Sequence, residues 1–318
     1  MPIVVNSNAS ATTASFNLSR ANDALRKSLG RLSSGNRINT PADDAGGLAV
    51  AYKLNSKANR TSAILQNSQN ALSYLQVQDS GLQTAGKIVD RMSELRVMAQ
   101  DITKNTQDIE NYSKEFVELQ SQLNQVSKEK FNGISLFATS TVTAVGSLET
   151  STASFGSLSY NTASRTLITH DSGVSTSGSI KLNVVNFQFM LSIGTTTSGG
   201  SGIDLGNINA GTAGGSELNS SGFISDITEV NVSQFTNIIE RIADMRAENG
   251  AEQNRVLNSI DLLQTNLSNI EAAHGRIMDT DIALESTRFA RHNILVQASA
   301  AMTAQANQLT NVALQLIG

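Results

Sequence analysis

Few residues in this sequence are equipped for chemistry. Its three histidines, His170, His274 and His292, stand far apart and lack the spacing that brings two imidazoles onto one metal. There is no cysteine, which removes thiolate nucleophiles, Cys-ligated metals and disulfides together. His-Glu-x-x-His, a phosphate-cradling glycine loop and Gly-x-Ser-x-Gly are all absent. His274 falls in an apolar helical stripe, where packing accounts for it better than ligation. Asp279, Asp281 and Glu285 carry oxygens that could chelate a hard cation. Their position just ahead of a helical pattern favours a plainer role, in which Asp279 and Thr280 cap the helix and the acids answer its dipole. Asp43-Asp44 has the same two readings, with the same preference. The expectation is a non-enzymatic protein with no catalytic residues, no metal and no cofactor.

The elements around these residues explain more than the residues themselves. At 318 residues the chain has room for two or three domains. It has no Trp, two Pro and only 4% aromatic residues, so it favours thin layers such as helix pairs over a bulky core. The net charge of -4, with no basic stripe interleaved with aromatics, argues against nucleic acid. No apolar run approaches the roughly 20 residues that span a bilayer. Met1 to Ser19 holds no charged side chain, so the basic start of a cleaved signal peptide is missing. Export, if it occurs, is expected to leave the N-terminus intact.

Composition divides the chain. Residues 138–222 hold 13 of the 23 glycines, many Ser and Thr, and only six Asp, Glu, Lys or Arg. The flanks are helical in pattern. Leu18, Leu25 and Leu32 recur every seven residues, and Gly35 offers a C-cap. Thr40-Pro41-Ala42-Asp43 reads as a helix start. About sixty residues follow with Leu72, Leu75, Leu82, Val89, Met92 and Leu95 on one face, a rod of roughly 90 Å at 1.5 Å per residue. Phe116, Leu119, Leu123 and Val126 suit a shorter antiparallel partner. Ile260, Leu263, Leu267, Ile270 and Ile277 form another seam. In the middle, 165–169 and 179–193 read as strands, with a turn-prone run at 195–202. The predicted fold is mainly α with an inserted β domain. A long antiparallel helical bundle or coiled coil is built from both chain ends, and a small Ser/Thr/Gly-rich β domain lies between. The predicted segments are 1–40 (N-terminal coiled-coil tail), 41–137 (helical core), 138–222 (variable outer β domain), 223–278 (helical core) and 279–318 (C-terminal tail).

The ends are unusual in lacking charge. Asn293 to Gly318 contains no Asp, Glu, Lys, Arg or His, yet Leu295, Met302, Leu309 and Leu316 repeat every seven residues. A strict seven-residue period keeps one stripe against a partner helix. Ordering these 26 residues costs about 25–50 kcal/mol of backbone entropy. A thin stripe, at about 1.5–3 kcal/mol per large side chain, does not offset that alone. The ends are therefore expected to be largely disordered in the monomer and to become helical on assembly. The alternative is an ordinary intramolecular coiled coil. Arg20, Arg26, Lys27, Arg31 and Arg37 make the first helix basic while 279–285 is acidic, so pairing between them, within or between subunits, is a further expectation.

Several long motifs now match a known pattern. Leu29-Gly-Arg-Leu-Ser-Ser-Gly-Asn-Arg-Ile-Asn-Thr-Pro-Ala-Asp-Asp-Ala-Gly-Gly-Leu-Ala-Val-Ala51 closely resembles the N-terminal signature of bacterial flagellins. Phe131-Asn132-Gly133 looks like the close of that family's N-terminal helical region. Asn254-Arg255, Arg276-Ile-Met-Asp-Thr-Asp-Ile-Ala-Leu-Glu285 and Ala304-Gln-Ala-Asn-Gln308 are similar to its C-terminal blocks. The resemblance covers 1–137 and 223–318 and leaves the middle unmatched.

The resemblance implies an exported structural subunit of the extracellular flagellar filament, polymerised for swimming motility. Its paired tails would line the central channel, and Leu18, Leu25, Leu32, Leu295, Met302, Leu309 and Leu316 would form the assembly seam. The implied partners are further copies of the chain, an export chaperone, and the cap and hook-junction proteins. Export would run through the flagellar type III apparatus. Arg91-Met-Ser-Glu94-Leu95 resembles a helix surface that a Toll-like receptor of animal innate immunity recognises in many flagellins. Here Asp90 and Ser93 replace the Gln and Arg usual in well-recognised members. Rival readings are a hook–filament junction protein, a filament-borne peptidase, which the missing zinc motif opposes, and an adhesin using the β region. The Ser and Thr of the middle would also suit O-glycosylation.

Overall fold

The computed structural model describes residues 8–138, 149–155, 158–193, 203–204, 224 and 226–317. The predicted 195–202 turn lies outside them, as do Met1 to Ser7 and most of the remaining middle. The chain forms two compact units, one of residues 1–59 with 266–318 and one of residues 60–265. Among the described residues no helix is both long and apolar enough to cross a membrane.

The first unit is built on α1 (Ala9–Ser34) and α6 (Ile282–Ile317), which pair along their length. Asn8 Oδ1 caps α1 by accepting from Ala11 N at 3.0 Å, while its Nδ2 donates to the Ala306 carbonyl at 2.8 Å. At the other end Gly35, at φ +73°, closes α1 in the left-handed conformation that a Cβ would strain. Asn36 then bridges to Asp279, and Thr280 N donates to the Gly35 carbonyl at 3.0 Å. Residue 8 beside 306 and residue 36 beside 279 make the pair antiparallel.

Helix α2 (Ala45–Ala99) contributes to both units, and it starts later than its sequence predicts. Thr40-Pro41-Ala42-Asp43 is a turn, not a first helical turn. The Asp43 carboxylate is consumed there by Lys27 Nζ at 2.6 Å, the N–H groups of Asn39 and Thr40, and Thr40 Oγ1. The Lys27 contact and these N–H donors hold the Asp43 carboxyl well below the usual carboxylate range. Asp44 is left to cap α2 by accepting from Gly47 N at 2.8 Å.

The second unit packs α2 against α3 (Thr106–Ser127) and α5 (Val232–Met278), the latter also shared between the units. Asn105 and Asp108 form a reciprocal capping box that starts α3. The stripe read from α2 is the core: Leu75, Leu82, Val89, Met92 and Leu95 are fully buried. Phe116 of α3 meets Phe235 of α5 edge to face at 6.2 Å between centroids.

The strands cover one side of this core. β1 (Lys130–Phe131) and β2 (Ile134–Ser135) form a hairpin whose turn holds Asn132 and Gly133 at positive φ. A four-stranded sheet follows in the order β3-β6-β5-β4, with β3 (Phe137–Ala138) parallel to β6 (Ser179–Asn186). β5 (Leu158–Ile168) pairs antiparallel with both β6 and β4 (Glu149–Phe155). The run 179–193, read as one strand, is broken after Asn186. That side chain accepts from Phe189 N at 3.0 Å and starts the single turn α4 (Phe187–Met190). β7 (Ser192–Ile193) and β8 (Ile203–Asp204) form a further short pair.

Candidate functional site

The residues with the clearest prospect of function lie on α1 and α6. Along α6, Glu285, Phe289, His292, Val296, Ser299, Thr303 and Ala306 are the buried or half-buried positions. They advance in alternating steps of four and three, the spacing of a helix seam. Along α1 the matching series is Ala11, Ala14, Leu18, Ala21, Leu25, Ser28 and Leu32. Leu18, Leu25 and Leu32 therefore face α6, as their period predicts. Small residues occupy much of the opposing face toward the far end of α6, where Ser299, Thr303 and Ala306 leave room for a close approach.

Leu295 and Met302 are not part of this joint. Each sits one residue before an inward position, about 100° around the helix, and they are 45% and 65% exposed. Ile294, on the same outward side, is 66% exposed. Leu309 and Leu316 continue the seven-residue series within α6, but their side chains lie outside the described residues. Periodicity picks out a stripe without saying what covers it. Within one chain α1 and α6 supply each other with a partner surface. An apolar stripe on the far side of α6 is still left uncovered.

The junction of α1 and α6 concentrates charge. Asp281, rather than Asp279 or Thr280, caps α6 by accepting from Leu284 N at 3.1 Å. Glu285 is 3% exposed and lies 3.8 Å from Arg31 Nη1 and 3.4 Å from Arg288 Nη1. The expected pairing between the basic first helix and the acidic 279–285 run is thereby present within the chain. Arg37 donates through Nε and Nη2 to the Ile277 carbonyl at 3.2 and 2.9 Å. These groups, with Arg276, surround a cavity of about 380 Å³.

The ridge around Arg91 is exposed and ion-paired. Arg91 Nη1 meets Glu94 at 3.0 Å and Arg91 Nε meets Glu115 at 2.9 Å, and both carboxylates raise the Arg91 pKa. Leu95, grouped with Arg91 and Glu94 by the motif, is fully buried in the helical core and presents nothing at the surface.

Sequence reading overlooked the buried polar clamps. Gln78 is fully buried, donates to the Leu136 carbonyl at 2.8 Å and accepts from Asn249 Nδ2 at 2.7 Å. Arg96 and Arg241 reach the carbonyls of Val230 and Phe189. Glu252 accepts the Asn183 N–H at 3.0 and 3.1 Å, and burial pushes its carboxyl up to about 7. The signal was available: Leu75, Gln78 and Leu82 share helical spacing, which puts Gln78 on the core face.

Comparison with known proteins agrees with this architecture. The family model for the bacterial flagellin N-terminal helical region matches residues 5–141, and that for the C-terminal helical region matches 232–317. Flagellin FlaB2 of Treponema pallidum is 30% identical over 317 residues, covering 99% of this chain and all of the relative. The flagellin of Bacillus subtilis is 29% identical, covering 98% of this chain and 99% of its own length. A solved structure from Vibrio parahaemolyticus, described as a flagellar hook-associated protein, shares the fold at a TM-score of 0.54 and 16% identity. It covers 74% of this chain and all of its own. With both helical regions matched in order and relatives aligned from end to end, the chain belongs to the bacterial flagellin family, structural subunits of the extracellular flagellar filament rather than enzymes.

Proposed function

We propose that the outward face of α6, led by Ile294, Leu295 and Met302, is the surface through which copies of this filament subunit polymerise. The observation that carries the reading is the placement of large apolar side chains, up to 66% exposed, on a helix stretch with no charged residue after His292. A solvated helix face normally carries charge, and covering such a stripe releases the hydrophobic free energy that its own chain leaves unclaimed. Leu309 and Leu316 extend the stripe by their spacing. Phe16 and Leu29, 66% and 53% exposed on α1, add apolar area to the same unit. An export chaperone that shields α6 before assembly, and cap and hook-junction proteins that meet it at the filament ends, are partners this surface would suit.

The test is seeded or salt-induced polymerisation of the purified protein, viewed by negative-stain electron microscopy. Removing residues 293–318 is expected to abolish filaments while leaving the second unit folded. Filaments from that truncation would overturn the reading.

A second reading rests on the Arg91, Glu94 and Glu115 ridge, which an innate immune receptor could meet as an exposed charged surface. Arg91→Ala is expected to reduce receptor signalling by the purified monomer without changing its melting temperature. Unchanged signalling would remove the ridge from consideration.

A further inference from the structure

We propose that the guanidinium-lined cavity at the α1–α6 junction accepts carboxylate side chains from the second unit of another copy, so that charge sets which surfaces meet during polymerisation. This rests on the assembly reading and adds a second, polar contact to it.

Three observations support the acceptor. Arg31 Nε is buried and has no hydrogen-bond partner among the described residues. Such a donor is costly to leave unmade, and a carboxylate is its natural acceptor. Arg276 lines the cavity, is exposed, and has no ion-pair partner among the described residues. Of the three acids lining the cavity, Asp281 caps α6 and Glu285 is buried between two guanidinium groups, which leaves Asp279, exposed, as the third carboxylate beside four guanidinium groups.

The donor follows from how charge divides along the chain. Residues 1–59 with 266–318 hold ten Lys or Arg against seven Asp or Glu. Residues 60–265 hold thirteen against twenty, so the first unit is net positive and the second net negative. Two copies meeting through the same unit would repel. Attraction arises only when the first unit of one copy faces the second unit of the next, which is a heterologous contact. A heterologous contact whose rotation does not close into a ring propagates as a helical polymer. Acids fit for the role are on the second unit's surface: Asp90, Glu118, Glu240 and Asp244 are exposed and have no ion-pair partner among the described residues.

Arg276→Glu tests the proposal, because its side chain holds no ion-pair partner among the described residues. The readout is the critical concentration for seeded polymerisation, from about 10 to 150 mM salt, where the Debye length falls from about 30 to 8 Å. The expected result is a critical concentration raised about tenfold at the lowest salt, with the difference from wild type shrinking as salt rises. Arg276→Gln should fall between the two, and it serves as the readout if the Glu variant does not fold. A wild-type critical concentration with wild-type salt dependence in these variants overturns the proposal. If the wild-type chain itself fails to polymerise, the assembly reading falls first. If Leu295→Ser with Met302→Ser impairs polymerisation while Arg276→Glu does not, only the charge-pairing proposal falls.

Discussion

Replacing Leu295 and Met302 together by Ser removes the outward stripe of α6 without adding charge. The magnitude can be worked from exposure. Fully burying a Leu or Met side chain is worth about 1.5–3 kcal/mol. Leu295 has 45% of that still to gain and Met302 65%, or about 0.7–1.4 and about 1–2 kcal/mol. The pair together contributes about 2–3 kcal/mol per subunit on assembly, which is roughly 30- to 100-fold in critical concentration at about 1.4 kcal/mol per tenfold. The free subunit should lose only a few tenths of a kcal/mol per site through helix propensity, since both side chains are exposed there and lie off the inward series of α6. Residual soluble protein after sedimentation of seeded reactions gives the critical concentration, and circular dichroism of the monomer reports the helices. Val296→Ala, one residue along on the inward face, is the counterpart that should weaken the α1–α6 pair itself. An unchanged critical concentration for the double variant refutes the reasoning. So does a monomer that loses helix, because these residues would then face inward.

Three further outcomes test the second unit. Glu252 is raised from 4.5 to about 7, so the folded chain binds its proton more tightly than the unfolded chain. Stability from this group is therefore full below the unfolded value and declines as pH rises toward 7. With its partial exposure discounted, the decline is about 1–3 kcal/mol. Glu252→Gln should flatten the difference between urea midpoints at pH 5 and pH 8, and an undiminished difference counts against the burial argument. Gly81→Ala places a Cβ 2.8 Å from Phe137 Cζ, in the core. Overpacking at about 1–3 kcal/mol should outweigh the roughly 1 kcal/mol gain in helix propensity, so the melting temperature falls; a rise would contradict the packing described. Gln78→Leu keeps the volume but strands Asn249 Nδ2 and leaves the Leu136 carbonyl only the longer 3.5 Å bond from Tyr74 Oη, and should cost about 1–3 kcal/mol by chemical denaturation.

The helices were legible because their signal is periodic and local. The α2 stripe from Leu75 to Leu95, the α3 pattern and the Gly35 cap are each visible within a dozen residues. Boundaries failed where two polar side chains competed for one role. Thr40 and Asp43 satisfy each other in a turn, so α2 waits for Asp44, and Asn186 ends a strand that hydropathy would have carried on to Ile193. Glu149–Phe155, rich in Ser and Thr, gave no alternation from which a strand could be read. The direction of the α6 stripes was not legible either. Which of two adjacent heptad series faces the partner depends on side-chain volumes across the joint, where the small Ser299, Thr303 and Ala306 come opposite the equally small Ala11 and Ala14. Arg31 with Glu285 shows the opposite case, a contact across more than 250 positions that charge alone anticipated.

The charge-free stretch of α6 has a thermodynamic consequence. From Asn293 onward no side chain takes up or releases a proton near neutrality, so contacts made there carry no proton linkage. Counterions have nothing to bind or leave along it. A joint of this composition responds chiefly to temperature: because apolar burial near ambient conditions is driven by solvent entropy, cooling weakens it. A polymer joined through the proposed α6 face should loosen in the cold and respond little to acid there, while the titrating groups that register acidity lie elsewhere in the subunit.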